Sequence, residues 1–456
     1  MVDLHPAARV HLLGVGGAGM SAIAVVLRGL GCSVSGSDSD STPVLDRLRD
    51  IGVEVFVGHD ASQVAGADIV ARSTAVGRDN PEVAAARRAG IPVYRRAEIL
   101  AAITGMRATV AVAGTHGKTT TAAMLSQVLM AVGADPGFAV GAALADGGIG
   151  ARWSSGPLFV VEADESDGTF GELVVSRAVL TNVEPDHLRS DRTIRELEAE
   201  FSRFCEGAVD GLVVCADDPG AMRVSAGCRR VLYGTGAEAD YRWRSLCRNR
   251  RSTLGEVSYR GDVLGPVTVP MPGDHNALNA LAALAMACEL GVPASDAAAA
   301  LAGFMGVSRR FERRGEAGGV DFIDDYAHLP TEVACALDAA AQGGWQRVVC
   351  VFQPHRYSRT SQLGSTFAHC FEAADQVIIT DVYPAGEPAI PGVSGELVWR
   401  SVKEAHPDSN IAYAPRLEDA ADYLVDVLQP GDLCLTLGAG DLTEVPDWVI
   451  TRLSEA

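Results

Sequence analysis

The sequence contains very little lysine. Only two of its 38 basic residues, Lys118 and Lys403, are lysine, and the others are arginine. Because an ammonium is a compact charge and a guanidinium a planar fork, a lysine kept in such a chain indicates a position that needs the compact charge. The excess of acidic residues gives a formal net charge of -20. This charge argues against general nucleic-acid binding, which depends on basic surface.

The chain also lacks long apolar runs and paired cysteines. No stretch of about eighteen residues is continuously apolar, so we predict no transmembrane helix. The segment Met1–Pro6 has neither the basic start nor the apolar core of a secretory signal, which predicts a cytoplasmic protein without membrane insertion. The ten cysteines include no C-x-x-C pair, which argues against a structural zinc site and a redox dithiol.

Strand-like and helix-like runs alternate along most of the chain. A length of 456 residues is too long for one hydrophobic core, and this alternation is typical of α/β domains with parallel sheets. We predict a Rossmann-like parallel-sheet domain over residues 1–105, a central P-loop-type ATPase α/β domain over 106–310, and a C-terminal Rossmann-like α/β domain over 311–456. Residues 205–270 look irregular, and the charged run Arg309–Gly315 suits a hinge.

A first glycine-rich turn follows the first predicted strand. Gly14, Gly16, Gly17 and Gly19 precede a predicted helix, where backbone N–H groups can approach a diphosphate. Asp38 follows at about the spacing of a ribose-binding acid in dinucleotide domains. A tight strand–helix turn without a ligand is the plain alternative. The pattern favours a nucleotide diphosphate but does not separate NAD from UDP.

A second glycine-rich turn, Gly114–Thr121, again lies between a strand and a helix and contains the lysine Lys118. Backbone N–H groups of such a loop cradle phosphates, the lysine reaches the β- and γ-phosphates, and the hydroxyl of Thr119 ligates magnesium. The motif is shorter than the full P-loop pattern, because residue 112 is valine. The alternative is a glycine-rich helix start with an exposed lysine.

Acidic and imidazole groups follow two later strands of the same predicted sheet. Glu162 ends one apolar strand and is a candidate magnesium ligand, since ligands bind at the carboxyl edge of such sheets. The acids that follow it, Asp164–Asp167, also suit a solvated loop. His187 follows the next strand and is a second candidate for the metal. Asn279, on an alanine-rich helix, suits either adenine recognition or a helix cap.

The predicted C-terminal domain has a second set of polar motifs. Arg356 and Arg359, three residues apart with two rings nearby, suit a bidentate clamp on a carboxylate. The alternative is a pair of surface salt bridges. His355 lies in the same motif as the arginines, Phe352–Arg359, and His328 lies in an earlier motif, Asp324–Pro330.

Together these segments resemble the Mur ligase family. The resemblance rests on GTHGKTTT, VEADESDG, TNVEPDH, DDYAHLPTEV and FQPHRYSRT, and it spans nearly the whole chain. It implies ATP-dependent ligation of L-alanine to the carboxylate of UDP-N-acetylmuramic acid through an acyl phosphate, in peptidoglycan precursor synthesis. It also implies two magnesium ions, with manganese as a substitute, small-molecule substrates only, and a monomer or homodimer.

The resemblance assigns residues to five roles. The ATP-binding residues are Gly114, Thr115, His116, Gly117, Lys118, Thr119, Thr120, Asn279, Arg310 and Asp325. The metal ligands are Thr119, Glu162 and His187. The residues that bind the UDP substrate are Gly14, Gly16, Gly17, Asp38, Ser73 and Thr74. The amino-acid side is formed by Tyr326, His355, Arg356 and Arg359. The catalytic residues are Lys118, His187, His328 and Arg356.

Several relatives hold a magnesium ion with a carbamylated lysine downstream of the histidine. No lysine lies between Lys118 and Lys403, which favours the alanine-adding type. Two positions depart from the family pattern: Leu329 stands where a second histidine is common, and Arg189 where an acid is common. The alternatives are a recycling ligase that joins a murein tripeptide to the same sugar, a nucleotide-binding dehydrogenase that uses the first glycine turn, and a non-enzymatic nucleotide sensor.

Overall fold

The computed structural model describes residues 2–143, 148–165, 168–184 and 193–455. The chain has an α/β fold with three sheets, as the sequence predicts. Contacts within the chain group its residues into two compact units. The first contains Met1–Arg244, Gly255–Thr268 and Leu278–Val307, and the second contains Ser245–Leu254, Val269–Ala277 and Ser308–Ala456. The limits at residues 105 and 310 stay predictions.

The first sheet has five strands in the order β3-β2-β1-β4-β5, all parallel. Its strands are β1 (Arg9–Leu13), β2 (Ser33–Asp38), β3 (Glu54–Val57), β4 (Ile69–Arg72) and β5 (Val93–Arg95). Its helices are α1 (Ala18–Leu30), α2 (Pro43–Asp50), α3 (Pro81–Arg88) and α4 (Arg96–Thr104), with a short 3-10 helix at Ala61–Val64. This arrangement confirms the predicted Rossmann-like parallel sheet.

The second sheet has ten strands in the order β15-β14-β13-β12-β11-β10-β6-β9-β7-β8. The strands up to β10 are β6 (Ala108–Ala113), β7 (Gly137–Ala139), β8 (Ala151–Arg152), β9 (Leu158–Glu162) and β10 (Arg177–Leu180). The later strands are β11 (Gly211–Cys215), β12 (Val231–Gly234), β13 (Tyr241–Arg248), β14 (Thr253–Tyr259) and β15 (Asp262–Val269). The prediction that residues 205–270 are irregular is therefore wrong.

The helices of the central part begin with α5 at the second glycine loop. They are α5 (Lys118–Ala131), α6 (Ile194–Gly207), α7 (Pro219–Val224), α8 (Asp274–Glu289) and α9 (Ala294–Ala302), with a 3-10 helix at Thr169–Glu172. Strand β6 is buried along almost its whole length and pairs in parallel with both β9 and β10. A strand covered on both faces is necessarily apolar, which explains the sequence ATVAVA. The carboxyl ends of β6, β9 and β10 thus lie at one edge.

The third sheet has six strands in the order β16-β17-β21-β18-β19-β20. They are β16 (Glu312–Ala317), β17 (Val320–Asp325), β18 (Val348–Phe352), β19 (Gln376–Ile379), β20 (Ile411–Tyr413) and β21 (Leu433–Leu437). The helices are α10 (Pro330–Ala341), α11 (Tyr357–Leu363), α12 (Glu396–Ala405), α13 (Leu417–Val427) and α14 (Val445–Glu455), with 3-10 helices at Gly364–His369 and Asp441–Glu444. Neighbouring strands of this sheet pair in parallel, except β16 with β17, which pair antiparallel.

Strand β16 also corrects the predicted hinge. Residues Glu312–Gly315 form part of this antiparallel edge strand rather than a linker. Its charged side chains are paired: the Arg313 guanidinium lies 3.0 Å from carboxylate oxygens of both Glu316 and Asp321. Edge strands commonly carry charged residues, which disfavour pairing with other chains. Among the helices of the described residues, none is long and apolar enough to cross a membrane.

Candidate functional site

The second glycine loop joins β6 to α5 and adopts a conformation that other residues disfavour. Gly114 has φ +137° and Gly117 has φ +78°, values that favour glycine because it has no Cβ. A Cβ on Gly114 would collide with Thr181, and a Cβ on Gly117 would collide with the amide of Asn279. Both glycines are therefore required by conformation and by close approach.

The residues after β10 hold this loop in place. The backbone N–H of Thr115 donates to the carbonyl of Asn182 at 3.0 Å, and the N–H of His116 donates to the Asn182 side-chain oxygen at 2.7 Å. The hydroxyl of Thr181 donates to the carbonyl of His116 at 2.6 Å. Thr120, the third residue of α5, is buried. The loop thus meets the N-terminus of α5 in a fixed shape suited to an anion.

Lys118 is the first residue of α5, and its side chain is only 11% exposed. Its ammonium donates to the carbonyls of Gly114 at 2.6 Å and Thr115 at 3.1 Å, and to a Glu165 oxygen at 2.9 Å. Burial lowers the pKa of Lys118, but the nearby carboxylates, Glu165 first, outweigh burial and raise it. The group is therefore a positive charge held across the mouth of the glycine loop.

Thr119 and Glu162 place hard oxygen atoms beside this charge. The Thr119 hydroxyl lies 2.9 Å from each carboxylate oxygen of Glu162, which ends β9. The backbone N–H of Gly141 donates to the same carboxylate at 2.7 Å. A hydroxyl and a carboxylate are ligands that suit magnesium. The predicted third ligand, His187, lies outside the described residues.

Glu165 is a residue that the sequence interpretation missed, because it was grouped with the acids of a solvated loop. Its side chain is 1% exposed and ion-pairs with Lys118. Burial raises the pKa of Glu165 to about 7, against the lowering effect of Lys118 and with a further increase from Asp164. The carboxyl of Glu165, with a pKa near neutrality, thus pairs with the same Lys118 ammonium that a bound phosphate would contact.

We expect this carboxyl to make nucleotide binding depend on pH. A phosphate that takes over Lys118 leaves Glu165 without its partner, so Glu165 takes up a proton on binding at pH above 7. The affinity for magnesium ADP should then fall by about tenfold per pH unit above 7, the limit for uptake of one proton. Calorimetric titration from pH 6 to 8.5 would measure this slope.

The matched variant is Glu165→Gln, which has the same shape and no charge to titrate. Its affinity should vary with pH only as the nucleotide's own phosphates do. Equal slopes for the variant and the wild-type chain would contradict the role of Glu165.

The first glycine loop joins β1 to α1 and brings together several of its predicted ligands. The N–H of Gly16 donates to a carboxylate oxygen of Asp38 at 2.8 Å. A Cβ on Gly14, which has φ +76°, would lie 2.9 Å from the Cβ of Ser73. Gly17 is the N-cap of α1, and Thr74 is exposed beside Ser73. Asp38, predicted from its spacing as a ribose ligand, also fixes the loop itself.

A buried polar cluster lies beneath the same sheet edge. Glu82, fully buried, has one oxygen 2.5 Å from Nε2 of His11 and the other 2.6 Å from Nδ1 of His59. The hydroxyl of Ser37 also donates to it at 2.8 Å. Burial raises the pKa of Glu82, but hydrogen bonds from His11, Ser37 and His59 outweigh burial and lower it. Both carboxylate oxygens of this buried Glu82 therefore have hydrogen-bond partners inside the first unit.

In the second unit, Asp325 ends β17 and is buried. Its carboxylate accepts hydrogen bonds from the N–H groups of Phe311 at 2.7 Å and Ala327 at 2.8 Å. Burial raises its pKa to about 6, although Arg310 and these N–H groups act in the opposite direction. The guanidinium of Arg310 lies 5.0 Å from the centre of the Tyr326 ring. The structure thus brings together Arg310, Asp325 and Tyr326.

Two histidines predicted from separate motifs also meet in this unit. The rings of His328 and His355 lie edge to face with centroids 5.6 Å apart, and His355 stacks on Tyr383. The Arg359 guanidinium donates to Nδ1 of His355 at 3.1 Å. Burial, then His328 when it is protonated, and then the charges of Arg359 and Arg356 lower the pKa of His355 to about 3. His355 is therefore a neutral hydrogen-bond acceptor for Arg359.

The backbone around these groups is specialised. Arg356, just before α11, has φ +70°, and its N–H donates to the carbonyl of Tyr383 at 2.8 Å. Nδ1 of His328 lies 3.0 Å from the carbonyl of Tyr326, which places the proton of a neutral ring on Nδ1. Leu329 is buried at the start of α10. Arg189, the other departure from the family pattern, lies outside the described residues.

Three models of the Mur ligase family match the chain in succession. They are described as the Mur ligase family catalytic domain, over residues 9–107, the Mur ligase middle domain, over 154–287, and the Mur ligase glutamate ligase domain, over 309–440.

Curated proteins and solved structures give the same result. A UDP-N-acetylmuramate–L-alanine ligase of Geobacter sp. (strain M21) is 44% identical over 453 residues, 98% of each chain. A ligase of the same name from Kineococcus radiotolerans is 46% identical over 459 residues, 98% of this chain and 96% of its own. The crystal structure of UDP-N-acetylmuramate-alanine ligase from Thermotoga maritima has a TM-score of 0.83 at 29% identity, covering 97% of this chain and 98% of its own.

A murein peptide ligase from Psychrobacter arcticus shares the fold, with a TM-score of 0.71 at 23% identity, over 98% of this chain and 99% of its own. Relatives above 40% identity across almost the full length indicate the same family as the sequence motifs and the two glycine loops. The chain therefore belongs to the Mur ligase family.

Proposed function

We propose that this chain joins L-alanine to the carboxylate of UDP-N-acetylmuramic acid and converts ATP to ADP and phosphate. The observation that carries this proposal is the arrangement of Lys118, Thr119 and Glu162 at one sheet edge. It occurs in a chain whose relatives at 44% and 46% identity are named as ligases of these two substrates. The product would serve peptidoglycan precursor synthesis.

ATP binds with its phosphates on the loop Gly114–Gly117 and on Thr119 and Thr120. Lys118 supplies a positive charge to the β- and γ-phosphates. Asn279 lies against Gly117 and the Thr121 hydroxyl, which donates to its oxygen at 3.3 Å, and we assign it to the adenine side. Arg310 and Asp325 contact the phosphate and ribose.

Magnesium suits the oxygen atoms of Thr119 and Glu162, which already converge within 2.9 Å of each other. We assign the first ion to these residues and a second ion to Glu162 and His187, with manganese as a substitute. The bound ions would supply Lewis-acid polarisation of the phosphate oxygens. The chain contributes the ligand geometry and the neighbouring charge of Lys118.

The sugar nucleotide binds at the first glycine loop. Its diphosphate lies against the loop formed by Gly14, Gly16 and Gly17 and at the N-terminus of α1. The N–H groups of these three glycines already donate within the protein, so the glycines contribute close approach of the backbone. We assign Asp38, Ser73 and Thr74 to contacts with the rest of the UDP group. A dehydrogenase would use only this loop, and would leave the loop around Lys118 without a role.

The reaction proceeds in two chemical steps. The muramoyl carboxylate attacks the γ-phosphorus of ATP, ADP leaves, and Lys118 stabilises the charge that develops on the phosphate oxygens. The amine of L-alanine then attacks the acyl carbon of the acyl phosphate, and inorganic phosphate leaves. Tyr326, His355, Arg356 and Arg359 hold the amino acid.

The amine must lose a proton before it attacks. We assign His328 as the base, since its Nδ1 proton points at the Tyr326 carbonyl and the lone pair of the neutral ring is then on Nε2. His355, whose pKa is held far below neutrality, keeps a neutral ring beside it and fixes Arg359.

The function is tested by phosphate release from ATP with each substrate supplied or omitted. We expect release only when UDP-N-acetylmuramic acid and L-alanine are both present, with formation of the amide product. Preference for the murein tripeptide over L-alanine would instead identify the recycling ligase. Binding of ATP without any alanine-dependent release would identify a nucleotide sensor.

A further inference from the structure

Three potential metal ligands converge in the second unit, and none of them is among the site residues described above. Nδ1 of His369 lies 2.9 Å from Nε2 of His406. Oε1 of Glu372 lies 3.2 Å from the first nitrogen and 3.3 Å from the second. The three side chains therefore direct one ligand atom each toward a common point.

We propose that His369, Glu372 and His406 form a binding site for a transition-metal ion of the zinc class. Imidazole nitrogens and a carboxylate oxygen are ligands of zinc, with bond lengths of about 2.0–2.2 Å. In a tetrahedron with such bonds, the ligand atoms lie about 3.3 Å apart, by geometry from these lengths. The three observed separations differ from that value by at most a few tenths of an ångström, as a rough measure.

The contrast with the buried Glu82 cluster supports this assignment. There the two imidazoles contact different oxygens of Glu82, His11 on Oε2 and His59 on Oε1. At Glu372 both imidazoles face the same oxygen, Oε1. Each of these three atoms, two ring nitrogens and one oxygen, lies close to the other two. This is the arrangement of three ligand atoms around one metal ion. Solvent water would complete the fourth corner.

The backbone that carries these ligands is anchored in the core. Phe367 and Phe371 are buried on either side of His369, and their rings lie 5.0 Å and 5.4 Å from that of Phe352 on β18. The N–H of His406 donates to the carbonyl of Val402, a buried residue of α12, at 2.7 Å. The ligand positions are therefore set by packing and not by the ion alone.

The ligand side chains themselves are accessible to an ion from solvent. Those of His369, Glu372 and His406 are 71%, 60% and 33% exposed. The site links the end of the 3-10 helix Gly364–His369, which directly follows α11, to the end of α12. A bound ion would hold His369 in place and so restrain the end of the segment that starts with α11, the helix that carries Arg359.

The test is equilibrium dialysis of the full chain against Zn²⁺, with saturating Mg²⁺ to occupy sites of hard oxygen ligands. We expect the wild-type chain to bind one more equivalent of zinc than the double variant His369→Gln, His406→Gln. Glu372→Gln should weaken the binding by about tenfold or more, the effect of losing one metal contact. His5→Gln, an exposed histidine of the first unit, is the control and should bind as the wild type does.

Spectroscopy with Co²⁺ provides a second readout, since a tetrahedral site gives visible absorption that the double variant should lose. The urea midpoint of each variant establishes that it is folded, as expected for substitutions at exposed side chains. The proposal is overturned if the double variant retains the same number of zinc equivalents and the same cobalt spectrum. It is equally overturned if the wild-type chain binds no zinc, which would leave an imidazole–imidazole hydrogen bond.

Discussion

Replacing Lys118 with alanine is expected to lower kcat/KM for ATP-dependent ligation by about 10²–10³-fold, the usual effect of removing one charge-stabilising donor at a transition state. The ammonium lies across the glycine loop, where it donates to Gly114 and Thr115 and pairs with Glu165. Its loss would leave Glu165 without its ion-pair partner and the phosphates without this ammonium. Initial rates of phosphate release, with ATP varied below and above its KM and the other two substrates saturating, measure the effect.

The chain supplies its own matched control, because Lys403 is the one other lysine in the sequence. Its ammonium donates to the carbonyls of Pro407 and Ser409. Lys403→Ala should change kcat/KM by no more than roughly twofold, in line with a surface substitution. Lys118→Arg should also be impaired, since the planar guanidinium cannot take the place of a compact charge. A Lys118→Ala chain with near wild-type rate would refute the proposed role.

Replacing Glu82 with alanine is expected to destabilise the first unit by about 3–5 kcal/mol, the cost of removing one partner from a buried charged pair. His11 and Ser37 would each lose the acceptor they now have in Glu82. Urea unfolding, with hydrogen exchange of the β1 and β2 amides to localise the loss, measures this effect.

The same cluster gives an acid dependence of defined direction. The pKa of Glu82 is lower in the folded chain than its usual value, so its stabilising effect is present above that usual value. It is lost as the pH falls toward the lowered folded pKa. Glu82→Ala should remove this part of the acid sensitivity. Glu54→Ala, on exposed surface of β3 in the same sheet, is the control, and an equal loss of stability in both variants would contradict the prediction.

The glycine loops illustrate what the sequence predicts well. Their position between a strand and a helix follows from local patterns, since apolar runs such as that of β6 are followed by glycines and then by helix formers. The positive φ angles of Gly14, Gly114 and Gly117 are conformations that such glycines allow. The first parallel sheet and the presence of a helix after each glycine turn were predictable for the same reason.

The prediction failed where strands carry charge. In β13, the buried Tyr241 and Trp243 alternate with the exposed Arg242 and Arg244. This alternation is the signal of a half-buried strand, but the arginines give the segment a polar average. For β13 the signal was therefore present in the period of the pattern and not in its composition. Strand β16 has no such alternation, because its only buried residue is Ala317 at the end, so its pairing with β17 did not follow from the local pattern.

Other features of the site depend on contacts between distant parts of the chain. Glu165 lies in an acidic run that suits solvent, and only the position of Lys118 reveals that it is buried in an ion pair. The bond from Gly16 to Asp38 and the meeting of His328 with His355 likewise join separate motifs. No local pattern states such pairings, because they are set by the tertiary fold.

The bonds from Thr181 and Asn182 to the loop around His116 have a thermodynamic consequence. Ordering a backbone residue costs about 1–2 kcal/mol, and for this loop that entropy is lost when the chain folds rather than when a ligand arrives. Association at the loop should therefore proceed with little change in its amide protection. If Asn182 were substituted, the loop would be ordered only when the nucleotide binds, and the entropy cost would then weaken nucleotide affinity. This effect does not require Asn182 to touch the phosphates.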